Sequence, residues 1–122
     1  MRAGMPFEPL FRDLNDLFQR SVSQYAERPL FGTKRGGAWS WITYADFARE
    51  VDAVRAGLSE LGIGSGDRVA VIANNRVEWA ALAYATFGLG AAYVPIDPVY
   101  PIERQRLMAT DAGIATVLER AR

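Results

Sequence analysis

The side chains available for chemistry in this sequence are carboxylates, hydroxyls, amides, Lys and Arg, because its 122 residues include no Cys and no His. The composition excludes thiol catalysis, disulfides, Cys/His zinc sites and histidine acid–base catalysis within these residues. Residue type and spacing identify no catalytic, cofactor-binding or metal-binding residue. The candidates for a position near a ligand are three polar residues that follow apolar segments: Asn74, Asn75 and Asp97.

The two apolar segments, residues 68–73 and 91–96, are continuously hydrophobic, as parallel strands covered on both faces are. Asn74 and Asn75 follow the first segment, and Asp97 follows the second. Open α/β sheets gather their ligands at the carboxyl ends of such strands. A helix cap or a turn is the commoner role for Asn and Asp at these positions, and we favour it over ligand contact.

The phosphate-binding loops that glycine marks in other folds are missing. The turn after the first apolar segment is Asn74-Asn75-Arg76, so a dinucleotide-binding loop is not expected there. Gly62, Gly64 and Gly66 alternate, but they precede that segment and are typical of a turn. The sequence has no G-x-x-x-x-G-K-[ST] motif.

The overall charge gives no reason to expect a polyanionic partner. Fourteen basic residues balance fourteen acidic ones, so no net field attracts nucleic acid or an anionic membrane. No run approaches the roughly 20 apolar residues of a membrane span, and residues 1–6 lack a signal-peptide core. The absence of Cys fits the cytoplasm, so we predict a cytoplasmic protein without nucleic-acid partner or transmembrane segment.

The first half of the sequence predicts a helix, a hairpin and a second helix. Apolar residues at spacings of three and four place the first helix within residues 13–26. Strands over residues 29–34 and 38–44 flank a glycine turn. Trp39 and Trp41 share one strand face; they could form a binding surface, but we favour a lid over the first helix.

The second helix is predicted over residues 44–61. Thr43 and Asp46 have capping-box spacing, and Gly62 provides a left-handed stop. The predicted buried stripe consists of Phe47, Val51, Val54, Leu58 and Leu61.

The second half predicts alternating strands and helices. Strands over residues 68–73, 91–96 and 114–118 alternate with helices over 76–87 and 101–112, and Asn75 and Glu78 have capping-box spacing. The predicted fold class is α/β: a partial doubly wound parallel sheet (βαβαβ) preceded by a helix and a β-hairpin. We predict a single domain over 1–122, with a tail at 1–12, helix, hairpin and helix at 13–66, and βαβαβ at 67–122.

Four short segments, in order, resemble the front of the AMP-forming acyl-activating enzymes, which include acyl-CoA synthetases, peptide-synthetase adenylation domains and luciferases. Residues 61–69 resemble the family's Leu-Gly-Val-x-x-Gly-Asp-Arg-Val segment, and residues 75–79 resemble its Asn-x-x-Glu-Trp helix start. Residues 88–98 resemble Gly-Ala-x-x-Val-Pro-Leu. Residues 41–47 resemble Thr/Ser-Tyr-x-Glu-Leu, with Asp46 and Phe47 where Glu and Leu are commoner. The resemblance runs from about Leu14 to near the end of the sequence.

The resemblance implies the N-terminal scaffold portion of a longer ligase that uses ATP, Mg²⁺ and CoA. The family's phosphate loop, Tyr/Thr-Glu segment, ribose-binding Asp and catalytic Lys have no counterpart within residues 1–122, so we expect this chain alone to be inactive. Its expected partner is the remainder of the parent enzyme or a second copy of itself.

Two branches of the family compete. Residues 39–44 and 74–80 favour a long-chain fatty acyl-CoA synthetase, which is our preferred interpretation. A peptide-synthetase adenylation domain is favoured by residues 96–101, 103–104 and 111–113. A non-catalytic interaction or regulatory protein on the same scaffold is the third hypothesis.

Overall fold

The computed structural model describes residues 4, 6–114 and 116–119. Residues 1–3 and 5 of the predicted tail, residue 115 of the predicted last strand, and residues 120–122 lie outside the described residues. The helices and strands of the described part are, in chain order, α1 (Leu14–Tyr25), β1 (Pro29–Arg35), β2 (Ala38–Thr43), α2 (Tyr44–Glu60), β3 (Arg68–Ile72), α3 (Val77–Gly88), β4 (Ala92–Ile96), α4 (Ile102–Asp111) and β5 (Thr116–Glu119).

The strands form the two sheets that the sequence predicts. β1 and β2 pair antiparallel, and β3, β4 and β5 form a parallel sheet in the order β4-β3-β5. Val69 at the centre lies beside Tyr93 on one neighbouring strand and Thr116 on the other. The connection from β3 to β4 and the connection from β4 to β5 run in opposite directions across the sheet, so right-handed crossovers place α3 and α4 on opposite faces. The α/β prediction, with its preceding helix and hairpin, is confirmed.

The hydrophobic core lies on the face of the parallel sheet that α2 and α3 cover. Val69 and Val71 point to this face from β3 and are buried. Phe47 of α2 lies at its centre, with its ring 5.7 Å from Phe18 of α1 and 5.0 Å from Phe31 of β1. One side chain therefore joins both helices and the hairpin.

The other face of the sheet is covered more thinly. Ala70 and Ile96 are buried there, but Val117 of β5 is 48% exposed. Within α4, Gln105 is the buried residue, whereas α3 has four. The two sides of the sheet are therefore packed unequally.

The residues at each end of α2 determine where the helix begins and ends. The Asp46 N–H donates to Thr43 Oγ1 at 3.1 Å, and the Thr43 N–H donates to Asp46 Oδ2 at 2.9 Å, which completes the predicted capping box. Gly62 has φ +86°, and the Ile63 N–H donates to the Leu58 carbonyl at 3.1 Å. This is the predicted left-handed stop, in its Schellman form.

Three details of the prediction are wrong. Leu61 is exposed, because the helix ends at Glu60 and the chain turns at the C-cap. Asn75 does not cap α3: the N-cap is Arg76, with no side-chain cap hydrogen bond. Trp39 and Trp41 do not form a lid over α1, because the opposite face of the hairpin turns toward the core.

Candidate functional site

Two adjoining clefts open at the carboxyl edge of the parallel sheet. The smaller, about 490 Å³, has Asn74, Asn75 and Asp97 in its wall. The larger, about 760 Å³, lies between the ends of β3 and β5 and the first turns of α3 and α4, and Asn74 lines it as well. The parallel topology thus brings the three predicted residues to one place, as expected for strands that end at the same edge.

Asp97 forms a turn at this edge. Its Oδ1 accepts a hydrogen bond from the Val99 N–H at 2.9 Å, and its backbone carbonyl accepts one from the Tyr100 N–H at 3.2 Å. A carboxylate that accepts from the backbone two residues on is an Asx turn. Asp97 therefore shapes the cleft wall, and its nearness to a ligand stays a prediction.

Unlike Asp97, the two asparagines have side chains that make no hydrogen bond to another described residue. Asn74 and Asn75 are both exposed. An amide offers both a donor and an acceptor. Both groups are thus available to a polar ligand.

Gln105 holds the loop between β4 and α4, and sequence reasoning missed it. This buried side chain donates from Nε2 to the Tyr100 carbonyl at 2.8 Å and to the Pro98 carbonyl at 3.3 Å. The Arg104 guanidinium lies 4.4 Å from the centre of the Tyr100 ring. A glutamine at helical spacing from Met108 and Ala109 would have been the clue, because those neighbours are partly buried.

Tyr93 lies behind the cleft and is not a reactive group. Its ring packs edge-on against Trp79, which lines both clefts, with 5.5 Å between the ring centres. Burial raises the pKa of the Tyr93 phenol to about 12, and among the described residues its hydroxyl has no hydrogen-bond partner. A phenol that stays neutral near pH 7 serves packing here, not nucleophilic chemistry.

The clefts carry charges of both signs. Arg76, Glu78 and Glu119 line the larger one, so no strong field of one sign develops. The part of the chain that the structure describes contains no cluster of three or more His, Cys, Asp or Glu able to hold a metal ion. None of the helices in that part combines the length and apolar character that a membrane crossing requires.

The family model described as "AMP-binding enzyme" matches residues 18–122. Among curated proteins, surfactin synthase subunit 2 of Bacillus subtilis is 31% identical over 111 residues, which are 91% of this chain and 3% of that protein. The long-chain-fatty-acid–CoA ligase FadD15 of Mycobacterium bovis is 37% identical over 76 residues, which are 62% of this chain and 13% of the ligase.

Among solved structures, the N-terminal subdomain of Klebsiella oxytoca NpsA, in complex with anthranilyl-AMSN, superposes with a TM-score of 0.80 at 22% identity. The match covers 89% of this chain and 28% of that one, and at this identity it shows the shared fold alone. The chain thus spans a small part of the length of the relatives it matches.

Proposed function

Since this chain belongs to the AMP-binding enzyme family, we propose that it forms the N-terminal scaffold of an ATP-dependent carboxylate ligase, most like a fatty acyl-CoA synthetase. In that parent enzyme, ATP and Mg²⁺ would activate a carboxylic acid as its adenylate, and the CoA thiol would accept the acyl group. The observation that carries this proposal is the convergence of Asn74, Asn75 and Asp97 on adjoining clefts at the sheet edge.

The role proposed for this chain is to build one wall of the ligand site. The side chains of Asp97 and Gln105 hold the loop of that wall through hydrogen bonds to its backbone. The side-chain amides of Asn74 and Asn75 lie beside the loop and are available for hydrogen bonds to a ligand. Transferred phosphoryl groups need metal ions and cations at the reacting oxygens. Other segments of the parent would supply these groups, because the family's phosphate loop and catalytic Lys have no counterpart within residues 1–122.

A complementation assay tests the proposal. The matching segment is removed from a long-chain-fatty-acid–CoA ligase, and this chain is added to the remainder in trans. We expect the chain alone to give no acid-dependent ATP–pyrophosphate exchange, and the mixture to recover exchange with a long-chain fatty acid. The ligase's own segment, added in the same way, is the matched control.

Recovery with the ligase's own segment but not with this chain would contradict the acyl-CoA assignment. Exchange by the chain alone, free of host ligases, would contradict the scaffold role. An Asn74→Ala, Asn75→Ala double variant that raises KM of the mixture without lowering stability would place the two amides beside the ligand.

A peptide-synthetase adenylation domain is the second candidate. The observation that favours it is the surfactin synthase match, which extends over 91% of this chain at 31% identity. The same complementation with a truncated adenylation domain and its amino acid separates the two. If neither remainder recovers exchange, a non-catalytic interaction protein on this scaffold becomes the better hypothesis.

The partner proposed for the chain is the rest of the parent enzyme or, when the chain is isolated, a second copy. Val117, Ile102 and Leu107 are exposed apolar residues on β5 and α4. Apolar patches and open strand edges promote association, and a net charge of zero does not oppose it. We expect a dimer or larger species in sedimentation across a dilution series. A strict monomer that binds no hydrophobic dye would contradict this.

The cytoplasmic location stays a prediction, which cell fractionation would test.

A further inference from the structure

The outer half of the β1–β2 hairpin is exposed to solvent. The base of the hairpin is held where Phe31 and Ile42 pack against the core and the Tyr44 N–H donates to the Arg28 carbonyl at 3.1 Å. From residue 33 to residue 41, every residue is exposed. A two-stranded ribbon has little stability of its own, so a bare outer half with large aromatic side chains suggests a contact that covers it.

One face of the outer half forms an aromatic surface, here called the tryptophan face: Gly32, Lys34, Trp39 and Trp41. Cross-strand pairing sets Gly32 opposite Trp41 and Lys34 opposite Trp39. The two indoles stack with 5.9 Å between ring centres and 27° between planes, and they are 60% and 57% exposed. A Cβ on Gly32 would lie 2.9 Å from the Trp41 ring, so the glycine lets that ring lie against the strand.

The same hairpin is locally basic. Residues 29–43 include Lys34 and Arg35 and no Asp or Glu. Neither cation forms a salt bridge with another described residue. Because charges act mainly within a Debye length of about 8 Å at physiological salt, the hairpin tip presents positive charge although the whole chain is neutral.

We propose that this hairpin docks on an anionic lipid surface, with the tryptophan face at headgroup level. Indoles prefer the boundary between water and hydrocarbon, and Lys and Arg beside them attract anionic headgroups. A partner protein would also cover aromatic residues, but the unpaired cations on a segment without carboxylates favour the anionic surface. This inference is independent of the proposed ligase function.

The test is co-sedimentation of the chain with phosphatidylcholine vesicles, with and without phosphatidylserine, together with tryptophan fluorescence. We expect binding to the anionic vesicles, a blue shift of the emission, and weakening by salt. Trp39→Ser with Trp41→Ser should weaken binding roughly tenfold or more, and so should Lys34→Glu with Arg35→Glu. Trp39→Phe with Trp41→Phe should retain most of it.

The matched controls are on α4: Leu107→Ser removes an equally exposed apolar side chain, and Arg106→Glu reverses an exposed charge. Both should bind vesicles as the parent chain does. Circular dichroism checks that each variant is folded. If the double serine variant unfolds, the Lys34→Glu, Arg35→Glu variant tests the proposal instead, because both of its substituted side chains are exposed. Absence of binding, or binding that the hairpin variants leave unchanged, overturns the proposal. Loss of a lipid-free dimer in the tryptophan variant would overturn it too, because a second copy would then cover the face.

Discussion

The two faces of the parallel sheet are covered to different degrees. On the α2 and α3 side, Val69 and Val71 are buried in one cluster with Phe18 and Phe47. On the α4 side, one helix covers the sheet, Gln105 is its buried residue, and Val117 stays half exposed. The first face is the interior of a domain, whereas the second leaves part of its apolar surface exposed. The fold is therefore expected to take its stability from one side and to form contacts on the other.

The largest effect expected from this comparison is that of Phe47→Ala. Removing a ring that contacts both Phe18 and Phe31 leaves a cavity, and we expect a loss of about 3–5 kcal/mol in the free energy of unfolding. Leu107→Ala on α4, where the side chain is 67% exposed, should change it by less than about 0.5 kcal/mol. Urea unfolding of both variants measures the difference. Similar losses would mean that the two faces contribute equally.

The glycines that follow the ends of α2 and α4 provide a second test of the difference between the two faces. Both Gly62 and Gly113 have positive φ, so a β-branched residue is strained by about 1–2 kcal/mol at either position. Gly62→Val should lower the unfolding midpoint clearly, because α2 belongs to the core. Gly113→Val should lower it less, because the end of α4 can fray. Gly64→Ala is the control: Gly64 has no positive φ and open space for a Cβ. If Gly62→Val and Gly64→Ala both leave the unfolding midpoint nearly unchanged, Gly62 does not act as the stop of α2.

The capping box gives a smaller effect. Thr43→Ala removes the hydroxyl that accepts from the Asp46 N–H, at an expected cost of about 1 kcal/mol, whereas Thr43→Ser keeps it. Thermal unfolding of the two variants separates them. If alanine and serine behave alike, packing rather than the cap fixes the start of α2.

The smallest effect expected is a dependence on acid pH. The hydrogen bond from the Thr43 N–H, together with Thr43 Oγ1 and the nearby Arg49, lowers the pKa of Asp46 below its usual 3.8. A lowered pKa in the folded state gives stability that is present above 3.8 and lost as pH falls through the folded value. Asp46→Asn should therefore weaken the dependence of the unfolding midpoint on pH as the pH falls below 3.8. An unchanged acid slope would show that other carboxylates dominate, with Asp16, whose pKa is lowered by the Arg12 N–H, as the next candidate.

The parts of the fold that the sequence predicts correctly are those with local causes. Thr43, Asp46 and Gly62 act on backbone atoms a few residues away, so their pattern alone locates the ends of α2. The convergence of Asn74 and Asp97 follows from parallel strands ending at one edge, which the alternation of elements predicts.

What the sequence does not predict depends on packing between distant segments. Spacing places Trp39 and Trp41 on one face, but only the docking of Phe31 and Ile42 decides that this face looks outward. The spacing of Asn75 and Glu78 predicts a helix cap at Asn75, but the N-cap of α3 is Arg76, one residue later. Val77 and Trp79 in the first turn of α3 pack against the core. Gln105 was overlooked because its partners are backbone carbonyls, which no side-chain pattern reveals.

The double hydrogen bond of Gln105 has a consequence for affinity. Two loop carbonyls are held by one buried amide before any ligand arrives, so the wall of the cleft is preorganised. Binding to a preorganised wall loses less conformational entropy than binding to a loop that must first be ordered. A glutamate at this position would present oxygen to those same carbonyls and release the loop. At the proposed site, the entropy of association would thus be set in part by one buried amide that holds the loop.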